Sequence, residues 1–225
     1  MYTVESIKPE LSVDGKGLYP NDRFNQIVNL HHYSSINYYK AERHIMKVLE
    51  KKLSPKLHYH SISHTKDVCR SVERLALLEG VTDEGLFLLK SAATYHDAGF
   101  VESYEKNEPV GARMAGEILP KYGYTEEHIE EIRRLIYVTQ IPHKPSNKLE
   151  EIICDADLDY LGRNDYFEIA ERLFHELIHH GRIRDRQEWI KKQISFLEGH
   201  TYFTTTSQQT RAVLKQDHLM KLKEL

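Results

Sequence analysis

The chain reads as an all-α, single-domain helical bundle. From about Lys40 onward apolar residues recur at three- and four-residue spacings broken by short turn signals, and no strand-like alternation lasts more than a few residues. No internal repeat, low-complexity linker or composition break follows the amino-terminal stretch, and 225 residues suit one ordinary domain.

Residues 1–36 carry Pro9, Gly15, Gly17 and Pro20 among Tyr, Asn and Ser without clear periodicity, and are expected to form an irregular or partly helical lead-in. Residues 37–225 form the helical domain. Its helices are predicted near 39–53, 62–79, 84–97, 109–121, 126–138, 147–161, 165–180, 186–198 and 206–223, with turns at Glu79-Gly80, Tyr122-Gly123 and the Pro142/Pro145 loop.

Net charge of −3 gives no footprint for nucleic acid or an anionic membrane, and no apolar run approaches the roughly 20 residues of a membrane helix. The polar start Met-Tyr-Thr-Val-Glu lacks a signal-peptide core, so a cytoplasmic protein is expected. Cys69 and Cys154 lack metal-type spacing and read as reduced thiols. Fourteen histidines are the compositional anomaly.

The helix predicted at 84–97 repeats apolar residues at Leu86, Leu89 and Ala93, a stripe that carries inward onto His96 and Asp97. Adjacent helical residues diverge by about 100°, so both reach one ion only near a helix end, which Gly99 supplies. Alone, the pair fits equally a buried histidine bonded to its neighbour, and further ligands decide between the two. His64 begins a second buried stripe, with Val68, Val72 and Leu75; His60, four residues earlier, shares its side if the helix extends back that far. Of the three acids in Cys154-Asp-Ala-Asp-Leu-Asp159, Asp157 shares the face of Ile153 and Leu161 and is forced inward, where a carboxylate needs a partner. Asp155 and Asp159, on the opposite side, fit either a solvated face or a supporting role around the site.

Two histidines and two carboxylates make a mixed N/O site suited to Mn²⁺, Mg²⁺, Fe²⁺, Co²⁺, Ni²⁺ or Zn²⁺, and too rich in oxygen for closed structural zinc. The chemistry it favours is Lewis-acid hydrolysis by metal-bound hydroxide.

His64, His96-Asp97 and Asp157, in that order and on helices, resemble the His…His-Asp…Asp signature of the HD-domain metal-dependent phosphohydrolases. Tyr59-His-Ser-Ile-Ser-His-Thr-Lys-Asp-Val68 is similar to the Tyr-His-Asn-x-x-His-x-x-Asp-Val motif of their cyclic-nucleotide phosphodiesterase branch, with Ser61 in place of Asn, and Ala156-Asp-Leu158 matches their Ala-Asp-x-Leu. The likeness spans about residues 40–165. It implies an HD-like bundle in which His64, His96, Asp97 and Asp157 bind the metal, Asp97 is also essential to catalysis, and His60 protonates the leaving oxygen. Glu102, Asn107 and Glu108 stand where that branch has a further histidine, and His128 and His143 come later, so one firmly bound ion is expected and cyclic-nucleotide specificity is not carried over.

Lys66 and Arg163 are candidates for a substrate phosphate. The expected activity is hydrolysis of a small phosphorylated molecule, a nucleotide phosphomonoester or phosphodiester, by a monomer or homodimer. The alternative is a non-catalytic nucleotide-binding or regulatory module. A remote third is a zinc metalloprotease through His175-Glu176-x-x-His179. Against it, the stripe Phe167, Ala170, Leu173, Phe174, Leu177 and Ile178 leaves His175 and His179 facing solvent. Arg182 and Asp185 also stand where a metzincin needs glycine and histidine, and Glu198 is the one remote third ligand.

Overall fold

The computed structural model describes residues 36–225, which hold nine α-helices and no strand. In chain order the helices are α1 (Tyr38–Lys52), α2 (Ile62–Leu78), α3 (Asp83–Tyr95), α4 (Asn107–Ile118), α5 (Glu126–Tyr137), α6 (Lys148–Asp157), α7 (Tyr166–His179), α8 (Arg186–Gly199) and α9 (Thr205–Lys223). Short 3-10 turns at Ala98–Val101, Leu119–Tyr122 and Asp159–Gly162 follow α3, α4 and α6. The expected lead-in, apart from residue 36, and His31-His32 lie outside the described residues. No helix among the described residues is long and apolar enough to cross a membrane.

Side-chain caps begin most of the helices where the sequence offers a short polar residue. Asn37 accepts from Lys40 N, Asn147 from Glu150 N, Asp185 from Glu188 N and Thr204 from Ser207 N. Thr125 and His128 form a reciprocal capping box at α5, which uses His128 far from the predicted site.

The helices enclose two packed clusters. The first centres on α3, where every residue from Leu86 to Tyr95 is buried against α1, α2, α5 and α6. Each large aliphatic side chain buried there contributes about 1.5–3 kcal/mol of hydrophobic stabilisation. The second gathers Tyr59, Tyr160, Tyr166, Trp189, Tyr202 and Leu219 from α7, α8, α9 and their connections.

α6 joins the two clusters, and there a sequence reading is corrected. It ends at Asp157 rather than running to 161, and Asp155 and Asp159 face no solvent: they are 0% and 2% exposed. Asp155 accepts from Phe203 N, Thr204 N and Thr204 Oγ1 at 2.7–2.9 Å and so anchors the start of α9. Asp159 accepts from Arg74, Arg211 and Ser71. From Ile152 to Ala156 the helix is buried on every side, so Asp155 is explained by partners rather than by water.

Candidate metal centre and active site

His64 projects from the first turn of α2, His96 caps the end of α3, Asp97 follows in the turn, and Asp157 is the last residue of α6. Two helix C-termini therefore point their negative dipole ends at the place where these side chains meet. Gly99 is needed for a reason other than the helix-ending role expected of it. A Cβ there would lie 1.9 Å from the Asn107 carbonyl oxygen, so glycine lets α4 cross directly over the His96-Asp97 turn. That crossing brings the buried Asn107 amide 3.2 Å from Asp97 Oδ1, to which it donates.

Four donor atoms converge. His64 Nε2 lies 3.1 Å from Asp157 Oδ1 and 3.3 Å from Asp97 Oδ2; His96 Nε2 lies 3.4 Å and 3.2 Å from the same two oxygens; and the two Nε2 atoms are 3.4 Å apart. Atoms at those separations are spaced as ligands about 2.1 Å from a shared ion would be. His96 Nδ1 donates to Ala93 O at 2.8 Å, which leaves its Nε2 lone pair facing the others. Asp97 Oδ2 is buried without a hydrogen bond. An orphaned carboxylate oxygen beside two imidazole nitrogens fits a divalent cation, and His64, His96 and Asp157 form a group able to hold one.

The electrostatics agree. Burial by itself would lower the His64 pKa, but its hydrogen bond with Asp157 and the nearby Asp97 carboxylate push it up to about 9. Against the same desolvation, Asp97 and Asp157 hold His96 well above its ordinary value. Burial would raise both carboxylates, yet the two imidazoles hold them below the usual carboxylate range. The pocket has an electrostatic demand for positive charge.

His60 lies outside the helix, because α2 begins at Ile62 behind the extended residue Ser61. Its ring nevertheless sits 6.2 Å, centroid to centroid, from that of His64, stacked on Phe100 at 4.1 Å. Its Nδ1 bonds Glu176 Oε1; Glu176 Oε2 accepts from Tyr59 N at 2.9 Å and His60 N at 3.1 Å, and the Tyr104 hydroxyl donates to Oε1 at 3.1 Å. Burial raises the Glu176 pKa, but its bond to His60, the His60 charge and the two backbone N–H groups bring it below the ordinary value. Glu176 is thus a buried carboxylate that fixes the His60 segment and leaves ring Nε2 free of any hydrogen bond among the described residues.

In sequence Glu176 carries only the protease-motif reading, and its tie to His60 gives no signal there. Phe167 and Ile178, counted in the buried stripe of α7, are 40% and 38% exposed, while Glu176 is 0% exposed. The buried face runs through Tyr166, Ala170, Leu173 and Glu176, and His175 and His179 are exposed as expected. With both oxygens engaged inside the protein, Glu176 cannot act as the base of a zinc protease.

Arg163 and Lys66 are not brought to the four-donor cluster. Arg163 spends Nε and Nη2 on Asp165 at 2.9 and 2.8 Å and Nη1 on Asp67 at 2.7 Å, so it meets carboxylates where a phosphate was expected. Lys66 is exposed and absent from the cavity wall. His143, set aside in sequence, lies with Nε2 4.0 Å from Asp157 Oδ2, but that nitrogen bonds Thr139 O at 3.0 Å.

The donor cluster opens into a cavity of about 680 Å³, whose lining includes His60, Asn107 and Glu108 and an aromatic and aliphatic set: Tyr160, Tyr166, Leu173, Leu177, Trp189 and Phe196. Gln193 belongs to that lining, its Oε1 accepting from the Tyr166 hydroxyl at 2.9 Å.

No family model matches the sequence, and no curated protein matches it. The folded chain does have a counterpart: the crystal structure of a predicted HD superfamily hydrolase from an uncultured Thermotogales bacterium superposes with a TM-score of 0.54, over 88% of this chain and 94% of the other, at 21% identity. This chain has an HD-domain fold. In it the four donors occupy helix ends, two from the first packed cluster, one from the turn after it, and one from the helix that joins the clusters.

Proposed function

We propose that the protein is a metal-dependent phosphohydrolase whose substrate is a small phosphoester of nucleotide type, a monoester or a diester. One observation carries this: the Nε2 atoms of His64 and His96 each lie 3.1–3.4 Å from a carboxylate oxygen of Asp97 and of Asp157, in a cavity whose lining also includes aromatic side chains. The HD-domain fold, shared with a protein described as a predicted hydrolase, supports the same reading.

His64, His96, Asp97 and Asp157 would hold the ion. When bound, it supplies a Lewis acid and offsets negative charge that develops on the phosphoryl group. His60 carries a proton on Nε2 and delivers it to the leaving oxygen as the P–O bond breaks, while Glu176 keeps the other ring nitrogen protonated and the ring in place. Asn107 holds Asp97 in its ligating orientation. A base stacks against the aromatic wall, and Gln193, its oxygen occupied by Tyr166, offers amide N–H groups to a ring acceptor.

The test is a panel of nucleotide monoesters and diesters with added Mn²⁺, Mg²⁺, Fe²⁺, Co²⁺, Ni²⁺ or Zn²⁺, scored for released phosphate or opened diester. Turnover by the wild type that is lost in Asp97→Ala supports the proposal. Tight nucleotide binding with no turnover under any metal would replace it with a binding module.

A further inference from the structure

His175 and His179 are left over once Glu176 is assigned to the interior. They stand one helical turn apart on the exposed side of α7, the spacing at which two imidazoles reach one ion. A third imidazole joins them from another part of the chain. His58, also exposed, has its ring 6.2 Å from that of His175 at an interplanar angle of 69°. Its position is not left to chance, because the next two backbone N–H groups, of Tyr59 and His60, are fastened to Glu176 on the adjoining, buried side of α7. Glu171 Oε1 lies 3.2 Å from the His175 ring, adding negative potential beside it.

From this juxtaposition we propose that His58, His175 and His179 form a second, surface metal site, distinct from the interior cluster, for a borderline divalent ion such as Zn²⁺, Ni²⁺ or Cu²⁺. Three imidazoles suit those ions rather than Mg²⁺ or Ca²⁺, which take oxygen. The three imidazoles do not already stand at ligating separations, and the exposed side chains would turn to bring their nitrogens to the about 3.4 Å spacing of ligands about 2.1 Å from one zinc. An ion here would tie residue 58 to α7 from outside, as Glu176 ties residues 59 and 60 from inside. Occupancy would stiffen the segment that carries His60.

Untagged protein is dialysed to equilibrium against micromolar free Zn²⁺ and its metal content measured. The wild type is expected to hold one ion more than either His58→Ala or His175→Ala/His179→Ala, with all three giving the same far-ultraviolet circular dichroism. Asp97→Ala separates the two sites: it is expected to lose the interior ion and keep the surface ion. If the interior cluster takes no zinc, the wild type holds one ion and His175→Ala/His179→Ala none, which still supports the surface site. Equal metal content in the wild type and His175→Ala/His179→Ala overturns it.

Discussion

Replacing Glu176 with Gln isolates what the buried carboxylate does for His60. The side chain keeps its shape, and its remaining oxygen can still accept from Tyr59 N and His60 N at 2.9 and 3.1 Å, so the segment stays in place. The change falls on the other oxygen: an amide N–H now faces His60 Nδ1, where a carboxylate accepted its proton. A charge-assisted hydrogen bond in a buried site is worth about 1.5–3 kcal/mol. If it is made only when the imidazole is charged, its loss falls on the protonated donor and lowers kcat by about 10- to 100-fold. The assay is steady-state hydrolysis of the best ester from the panel at saturating metal, with bound metal measured in parallel. Glu176→Gln is expected to lower kcat, leave metal content and KM near wild type, and have no further effect in a His60→Ala background, since two residues acting as one unit are not additive. Hydrolysis within twofold of wild type, or a full further loss in the His60→Ala background, would refute the coupling.

Four other outcomes follow from the structure. With His64 raised from 6.5 to about 9, loading an ion below pH 9 must displace a proton, so apparent metal affinity should rise about tenfold per pH unit for each proton displaced; isothermal titration in buffers of different ionisation enthalpy counts those protons. The sign is opposite for folding of the metal-free protein: a raised histidine pKa stabilises fully below 6.5 and its contribution is lost as pH climbs through about 9, which urea midpoints across that interval would record. Gly99→Ala should cost about 3 kcal/mol or more in urea unfolding, because the clash is with backbone at 1.9 Å and no side chain can swing aside. Arg163→Met should lower the thermal midpoint, by breaking its contacts with Asp67 and Asp165, while KM for the ester stays unchanged; a large rise in KM would place Arg163 on the substrate after all.

What could be read in the sequence was what helical periodicity controls. His64, His96 and Asp157 each continue an apolar stripe, and α2 and α3 begin and end within two residues of their predicted limits. Where periodicity was ambiguous, inference failed in a consistent way. α7 contains Phe167 and Ile178, apolar residues that protrude, and counting them as core rotated the inferred buried face away from Glu176. At the end of α6, periodicity left Asp155 and Asp159 between a solvated face and a supporting role around the site; both are buried, with partners in α2 and α9 that periodicity does not reveal. Gln193 and Trp189 gave no signal because their significance depends on Tyr166, 27 and 23 positions earlier, and only folding brings them to one wall.

The two packed clusters divide the labour of the cavity. Three of the donors, His64, His96 and Asp97, belong to the half built around α3, whereas Tyr160, Tyr166 and Trp189 belong to the half built from α7 to α9. The half that supplies most of the ion's ligands is thus packed separately from the half that would choose the molecule, although the second half also holds Glu176, the anchor of His60. Substitutions along the second wall can retune which ester is accepted without disturbing the spacing of the donors, and drift in the first would silence every substrate at once. A fold assembled this way can change its diet while keeping its reaction.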